Sequence, residues 1–294
     1  VAGALVRSYR TVSAFLPFLR AEARVRGGVF FSVALSVGSP RPAVSWHLAL
    51  WSPDFPHAEA RDRLARSRMV FYHDRYGSKV RKVWNMATCA LVGAVDFNAE
   101  DFKARQAAGE FDYVIAVDAG FAHLEAIGAV PDMAVGDFDS LGYVPKCRRV
   151  SRHPVKKDKS DMELAMEKAL SWGHDELIVY GALGARLDHT LANLQLFAKF
   201  SERDVYVTAV ADTYAVRLLT GPDVFELPAL GGGTVSVFSA NDMARGVIER
   251  GMEYSIDDEP LSNRTSRGLS NELTGEEATV AVEEGTLYVF YPLA

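Results

Sequence analysis

From Met86 onward the apolar and polar positions fall into a readable order. Cys89-Ala90-Leu91-Val92-Gly93-Ala94-Val95 is a continuous apolar run, the pattern of a strand buried on both faces. Residues 99–109 are polar and helix-compatible. Tyr113-Val114-Ile115-Ala116-Val117 is a second buried run, ending at Asp118-Ala119-Gly120. Phe121 to Ile127 predicts a short helix, stopped by Gly128 and then Pro131. Met133-Ala134-Val135 closes a third strand, and Leu177–Tyr180 and Val205–Val210 supply two more. Between them Met162, Ala165, Met166, Ala169 and Leu170 recur at helical spacing, and Ser160 with Glu163 forms a capping-box pattern ahead of them. Leu187, Leu191, Leu194 and Ala198 mark the buried stripe of a further helix. Strands alternating with helices predict an α/β fold with a largely parallel sheet covered by helices, over 86–209.

After residue 209 the helical period fades. Thr234–Ser239 and Ala278–Val282 alternate, Thr286–Tyr291 is strand-like and aromatic, and Gly221-Pro222 and Gly231-Gly232-Gly233 read as turns. Several short strands with turn signals predict an all-β unit over 210–294. Residues 1–85 show no sustained period; short apolar runs such as Val29–Leu35 alternate with Pro- and Arg-containing stretches. Charge separates the same regions. Residues 1–85 hold 14 Lys and Arg against 5 Asp and Glu, a balance of +9, and residues 86–294 hold 18 against 33, a balance of −15. An Arg-rich, acid-poor leading segment resembles an organellar transit arm. The initial Val1 and the orderly pattern beginning near Met86 also fit a start placed too far upstream. Residues 1–85 are therefore left as an unassigned extension.

The net charge of −6 gives no general attraction to nucleic acid. No apolar run approaches the ~18 residues of a membrane span. The two cysteines, Cys89 and Cys147, have neither metal-ligand nor redox spacing, which fits a reducing cytoplasmic compartment.

The candidate chemistry collects at strand ends, where parallel sheets bind ligands. Asp118 ends one strand. Gly136-Asp137-Phe138-Asp139-Ser140 ends another, and its two carboxylates can converge in a loop. Hard oxygen ligands of this kind suit Mg²⁺ held against phosphates; an Asx-rich turn is the alternative. Lys156-Lys157-Asp158-Lys159-Ser160-Asp161 places lysines at a helix N-terminus, a phosphate-binding arrangement, or else forms a solvated charge run. In Gly181-Ala182-Leu183-Gly184-Ala185-Arg186-Leu187-Asp188-His189 the glycines permit close backbone approach and Arg186 offers a planar fork for phosphate. His189 and Asn193, four apart, can bond to each other. Neither the dinucleotide fingerprint nor the P-loop occurs.

In this order and at this spacing, Asp118–Gly120, Gly136–Ser140, Lys157–Asp161, Gly181–His189 and Ser270-Asn271-Glu272 resemble the thiamine pyrophosphokinase (thiamine diphosphokinase) family, especially its bacterial form. The resemblance spans about 88–294 and leaves 1–85 unmatched. It implies a Rossmann-like α/β nucleotide-binding domain over 86–209 and a smaller β-sandwich domain for thiamine binding and dimerisation over 210–294. It implies Mg²⁺-dependent transfer of pyrophosphate from ATP to thiamine, giving thiamine diphosphate and AMP, in a homodimer with interfacial active sites. Carried over by motif, Asp137, Asp139 and Asp161 become catalytic and metal-site acids. Asp118, Lys159, Arg186 and Asp188 become ATP-site residues, and Ser270 and Asn271 thiamine contacts. Ala119, Ser160 and Ala185 depart from the usual Gly, Thr and Gly without removing a charge or donor. A metal-dependent nucleotide phosphohydrolase and a non-catalytic thiamine or nucleotide sensor are the rival functions.

Overall fold

The computed structural model describes four strands by their backbone: β1 (Ala21–Val25), β2 (Val29–Val33), β3 (Arg68–His73) and β4 (Lys79–Trp84). It describes residues 86–154, 157–184, 186–227 and 230–293 in full. Lys156, Ala185 and the remainder of 1–85, with the targeting and start-site expectations attached to them, lie outside the described residues. The chain forms two compact units, Val1–Arg61 and Asp62–Ala294. In the first, β1 and β2 pair antiparallel, Ala21 opposite Val33. In the second, β3 and β4 do the same, Arg68 opposite Trp84.

The apolar runs become strands joined by helices. The order is β5 (Thr88–Val92), α1 (Ala99–Ala107), β6 (Tyr113–Val117), α2 (Gly120–Ala126), β7 (Met133–Gly136), β8 (Val150–Arg152), α3 (Asp161–Ser171), β9 (Glu176–Tyr180), α4 (Leu187–Ser201) and β10 (Tyr206–Val210). Side by side they run β10-β9-β5-β6-β7-β8, every pair parallel. The chain builds outward from β5 to β8, then returns through α3 to β9 on the other side of β5. The direction of winding therefore reverses between β5 and β9, where parallel sheets open a crevice beyond their C-terminal ends.

The sheet does not stop at β10. It continues through β11 (Tyr214–Thr220), β18 (Thr286–Pro292), β13 (Thr234–Ser239) and β16 (Asn271–Glu272), each antiparallel to its neighbour, to make ten strands. A second, four-stranded antiparallel sheet has the order β12 (Asp223–Glu226), β17 (Thr279–Val282), β14 (Met243–Arg250), β15 (Ile256–Ser262). The expected mixture of parallel α/β sheet and antiparallel β-sandwich is what forms.

Strand alternation assigns each face of the long sheet its cover. On one face Leu91, Ile115, Val179, Val216 and Leu218 pack with Met162 and Met166 of α3 and Phe197 and Phe200 of α4. On the other, Ala90, Val92 and Tyr180 pack with Phe102 of α1 and Phe121 and Leu124 of α2, and the same core runs on into Val237, Val247, Val280 and Val289 of the sandwich. Helix α3 begins as its sequence indicates: Ser160 Oγ accepts from Glu163 N at 3.2 Å. The Glu163 carboxylate, however, takes the Lys199 ammonium at 2.7 Å instead of closing a capping box.

The expected stripe of α4 is buried only at its C-terminal end. Ala198 is buried and Leu194 partly so, but Leu187 and Leu191 are 77% and 55% exposed. Helical periodicity aligns these leucines on one face; it does not supply a neighbour to cover the first two turns.

Candidate active site

The crevice between β5 and β9 is shaped by two backbones in contact. Gly93 N donates to Tyr180 O at 2.8 Å and Val95 N to Gly181 O at 3.0 Å. A Cβ on Gly181, whose φ is +62°, would meet Gly93 O at 2.3 Å, and one on Gly93 would meet Gly181 O at 2.5 Å. Only paired glycines permit this crossing. The next turn is held by α4: Asn193 Nδ2 donates to Ala182 O at 2.8 Å, and Thr190 Oγ1 bonds both Gly184 N and Gly184 O. Asn193 is thus spent on the glycine loop and not on His189, which is exposed.

Acids converge beside this crevice, beyond β6 and β7. Asp118, Asp137 and Asp139 each bring a carboxylate oxygen within 4.8 Å of the others. Phe138 makes this possible. Its ring is buried in the core while its backbone sits at φ +62°, so the two flanking acids turn outward together. That conformation is costly for a bulky residue, and core burial of the ring offsets it. Asp139 N donates to Asp137 Oδ1 at 3.2 Å, closing an Asx turn. Asp118, also left-handed at φ 47°, anchors its backbone N on Val135 O at 2.8 Å. Asp118 Oδ1 is buried with no hydrogen-bond partner among the described residues.

Asp161, expected to share the metal, stands behind this trio and faces a lysine. Lys157 Nζ lies 3.0 Å from Asp137 Oδ2 and 2.9 and 3.1 Å from the two Asp161 oxygens. The Lys157 bond holds the Asp137 carboxyl below the usual carboxylate range. Burial pushes the Asp161 carboxyl up, the Asp137 and Asp118 charges add to the rise, and Lys157 opposes it. Burial pulls Lys157 down, but its bonds to Asp161 and Asp137 outweigh that and leave it above the usual lysine range. Among the described residues, four carboxylates set against one ammonium leave a local negative excess.

The other expected residues are placed as follows. Lys159 Nζ binds Glu167 at 2.6 and 2.8 Å, outside the acid group. Arg186, at the N-cap of α4, forks onto Asp188, and both are exposed. That bond brings the Asp188 carboxyl down to about 2. Ser270 is exposed at φ 57°, and Asn271 is buried on β16. Two participants were not singled out from sequence. Gly93 was hidden inside an apolar run, and Lys157 was one of three similar lysines; its spacing of four from Asp161 was the available signal.

Comparison with known proteins adds the chemistry. Residues 104–209 match the family model "Thiamin pyrophosphokinase, catalytic domain". This segment is similar to the catalytic domain of thiamin pyrophosphokinases. It contains Asp118, Asp137, Asp139, Lys157, Asp161, Arg186 and Asp188. A thiamine pyrophosphokinase of Bacillus subtilis is 24% identical over 181 residues, covering 59% of this chain and 84% of that protein. The crystal structure of thiamine pyrophosphokinase from Bacillus subtilis aligns with a TM-score of 0.59 at 22% identity, covering 70% of this chain and 98% of the other. The thiamin pyrophosphokinase structure from Geobacillus thermodenitrificans aligns at 0.58 with 25% identity and the same coverage. Yeast thiamin pyrophosphokinase shares the fold at 13% identity, with a TM-score of 0.56 over 71% of this chain and 87% of its own.

The donor set of this matched segment fits Mg²⁺. Three hard oxygen donors converge and, among the described residues, one of them is buried without a partner and the surrounding charge is negative.

Proposed function

We propose that the protein transfers the pyrophosphoryl group of ATP to the hydroxyl of thiamine, giving thiamine diphosphate and AMP. The observation that carries this reading is the convergence of Asp118, Asp137 and Asp139 beside Lys157, at strand ends inside the matched catalytic segment. The three acids are the Mg²⁺ ligands in this reading, and the ion would neutralise phosphate charge. Lys157 keeps Asp137 ionised and contributes positive charge of its own. Lys159 and Arg186 are the proposed ATP-site cations; each rests on a carboxylate, the half-buried Glu167 or the exposed Asp188, which phosphate oxygens can replace. Phosphoryl-type transfer asks chiefly for positioning and charge stabilisation. Thiamine oxygen attacks the β-phosphorus in line as AMP departs, with Asp161 as the carboxylate that orients the hydroxyl.

The proposed thiamine contacts point to a homodimer. Ser270 and Asn271 mark the β16 edge, eight strand spacings from β7 in the same sheet, roughly 38 Å along the sheet. One subunit's acids and its own Ser270 are too far apart to serve one thiamine, so a second copy supplies the missing edge. Among the described residues no helix is long and apolar enough to cross a membrane. Two unpaired cysteines suit the reducing cytoplasm we propose as its location.

The test is incubation with ATP, Mg²⁺ and thiamine, with product identification by mass. Thiamine diphosphate and AMP in equal amounts are expected. AMP or ADP formed at the same rate without thiamine would mark a phosphohydrolase instead, and absence of turnover would mark a sensor.

A further inference from the structure

Glu249 is fully buried on β14. Its Oε2 accepts from Asn271 Nδ2 at 2.9 Å, a bond that ties the four-stranded sheet to β16 of the long sheet. Its Oε1 has no hydrogen-bond partner among the described residues. That oxygen lies under the loop leading to Ser270, since a Cβ on Gly268 would come within 3.5 Å of it. The nearest compensating charge, Arg267, is committed to Glu259 at 2.7 Å. Burying a carboxylate with one oxygen unbonded opposes folding, and an apolar side chain of similar size is commonly neutral or better in such a place. Stability therefore does not account for Glu249.

Its effect on Asn271 does. The Asn271 amide is saturated: Nδ2 also donates to Tyr254 O at 2.7 Å, and Oδ1 accepts from Tyr254 N and Glu272 N, each at 3.0 Å. An amide has two N–H donors and one oxygen with two lone pairs, and all are used. No side-chain group of Asn271 remains for a ligand. A carboxylate only accepts, so Glu249 favours the same orientation of the amide as the Tyr254 and Glu272 backbone groups and adds the fourth bond that holds it. A flipped amide would set oxygen against oxygen and turn an NH₂ toward Tyr254 N. The amide thus grips both backbone groups of Tyr254, a residue 67% exposed, and holds that segment beside exposed Ser270.

We propose that Glu249 is a positioning residue for thiamine: acting through Asn271, it sets the Tyr254–Ser270 edge that receives the substrate. This rests on the thiamine reading above and reassigns Asn271 from contact to support. In Glu249→Gln the side-chain oxygen can replace Oε2, and the new NH₂ fills the unbonded position. Glu249→Leu removes one of the four bonds that hold the amide and leaves one buried Nδ2 hydrogen without an acceptor.

The test is calorimetric titration of thiamine onto full-length protein without ATP, together with KM for each substrate and a thermal melt. Glu249→Leu is expected to weaken thiamine binding and raise its KM about tenfold, the scale of one lost hydrogen bond to a charged group. The KM for ATP and the melting temperature stay at wild-type values, and Glu249→Gln restores thiamine binding. Unchanged thiamine affinity in Glu249→Leu overturns the proposal, as does parallel loss of both substrates with a lowered melting temperature. If Glu249→Leu does not fold, Asn271→Ser decides: selective loss of thiamine supports the proposal and intact binding overturns it. Wild-type protein that binds no thiamine overturns both this and the proposed function, whereas thiamine turnover insensitive to Glu249 overturns this alone.

Discussion

Lys157 Nζ and Asp137 Oδ2 are 3.0 Å apart, and the same ammonium reaches Asp161 on the first turn of α3. One lysine thus ties the loop after β7 to the helix that crosses back to β9. In Lys157→Met the acids lose their only bonded cation among the described residues. Turnover is expected to fall by roughly 10²–10³, with the circular dichroism spectrum unchanged. Steady-state kinetics checks this, and activity within a few-fold of wild type would remove Lys157 from the site.

Asp118 Oδ1 has no partner to lose among the described residues, so Asp118→Asn leaves the fold intact and reduces repulsion among the carboxylates. The metal-free variant is expected to melt no lower than wild type. Its Mn²⁺ affinity, measured by calorimetry, is expected to fall at least about tenfold with one hard anionic ligand gone. Asp139→Ala is expected to behave alike and to cut turnover by about 10² or more.

Gly181→Ala meets a left-handed φ and a backbone oxygen at 2.3 Å. Neither can yield without moving Gly93, so a loss of about 2–4 kcal/mol is expected in urea unfolding. Gly142→Ala is the control. It also has positive φ, at +71°, but nothing lies within 4 Å of its added Cβ, and its loss is expected to stay near 1 kcal/mol.

Arg186 depresses the Asp188 carboxyl to about 2. A depressed acid stabilises the fold above its unfolded value, near 4, and that contribution fades as pH falls toward 2. Carboxyl-carbon NMR is expected to show a midpoint near 2 for Asp188, returning to the ordinary aspartate range in Arg186→Gln. A midpoint that does not move would show that the fork is open in solution.

If the thiamine edge comes from the partner subunit, two inactive variants complement each other. Mixed equally, Asp139→Ala and Ser270→Trp form heterodimers in half of the pairings, each with one intact site. About a quarter of wild-type activity is then expected after co-refolding. No recovery above the separate variants would place both halves of the site in one subunit.

Most of the parallel strands were legible because each is an apolar run, as in Leu91 to Val92 or Ile178 to Tyr180; β8, Val150–Arg152, has no such run and was not. The acids were legible because they fall where those runs end. Lys157 was not separable from Lys159, since both lie in one charged stretch and only the phase of α3 sends one to Asp161 and the other to Glu167. The grouping of Asp118 with Asp137 and Asp139 depends on β6 lying next to β7, a long-range pairing that local pattern does not encode. The exposed leucines of α4 show the converse. A stripe states which face is apolar, and only the assembled sheet states how far its cover extends.

The long sheet passes from parallel to antiparallel at β10 and β11 with its hydrogen-bond ladder intact, Thr208 opposite Arg217 and Val210 opposite Ala215. A protein built this way has no clamshell. Swinging the nucleotide end against the β16 end would tear that ladder, so capture of reactants and release of products fall to the short segments at the strand tips, moving over a stiff plank.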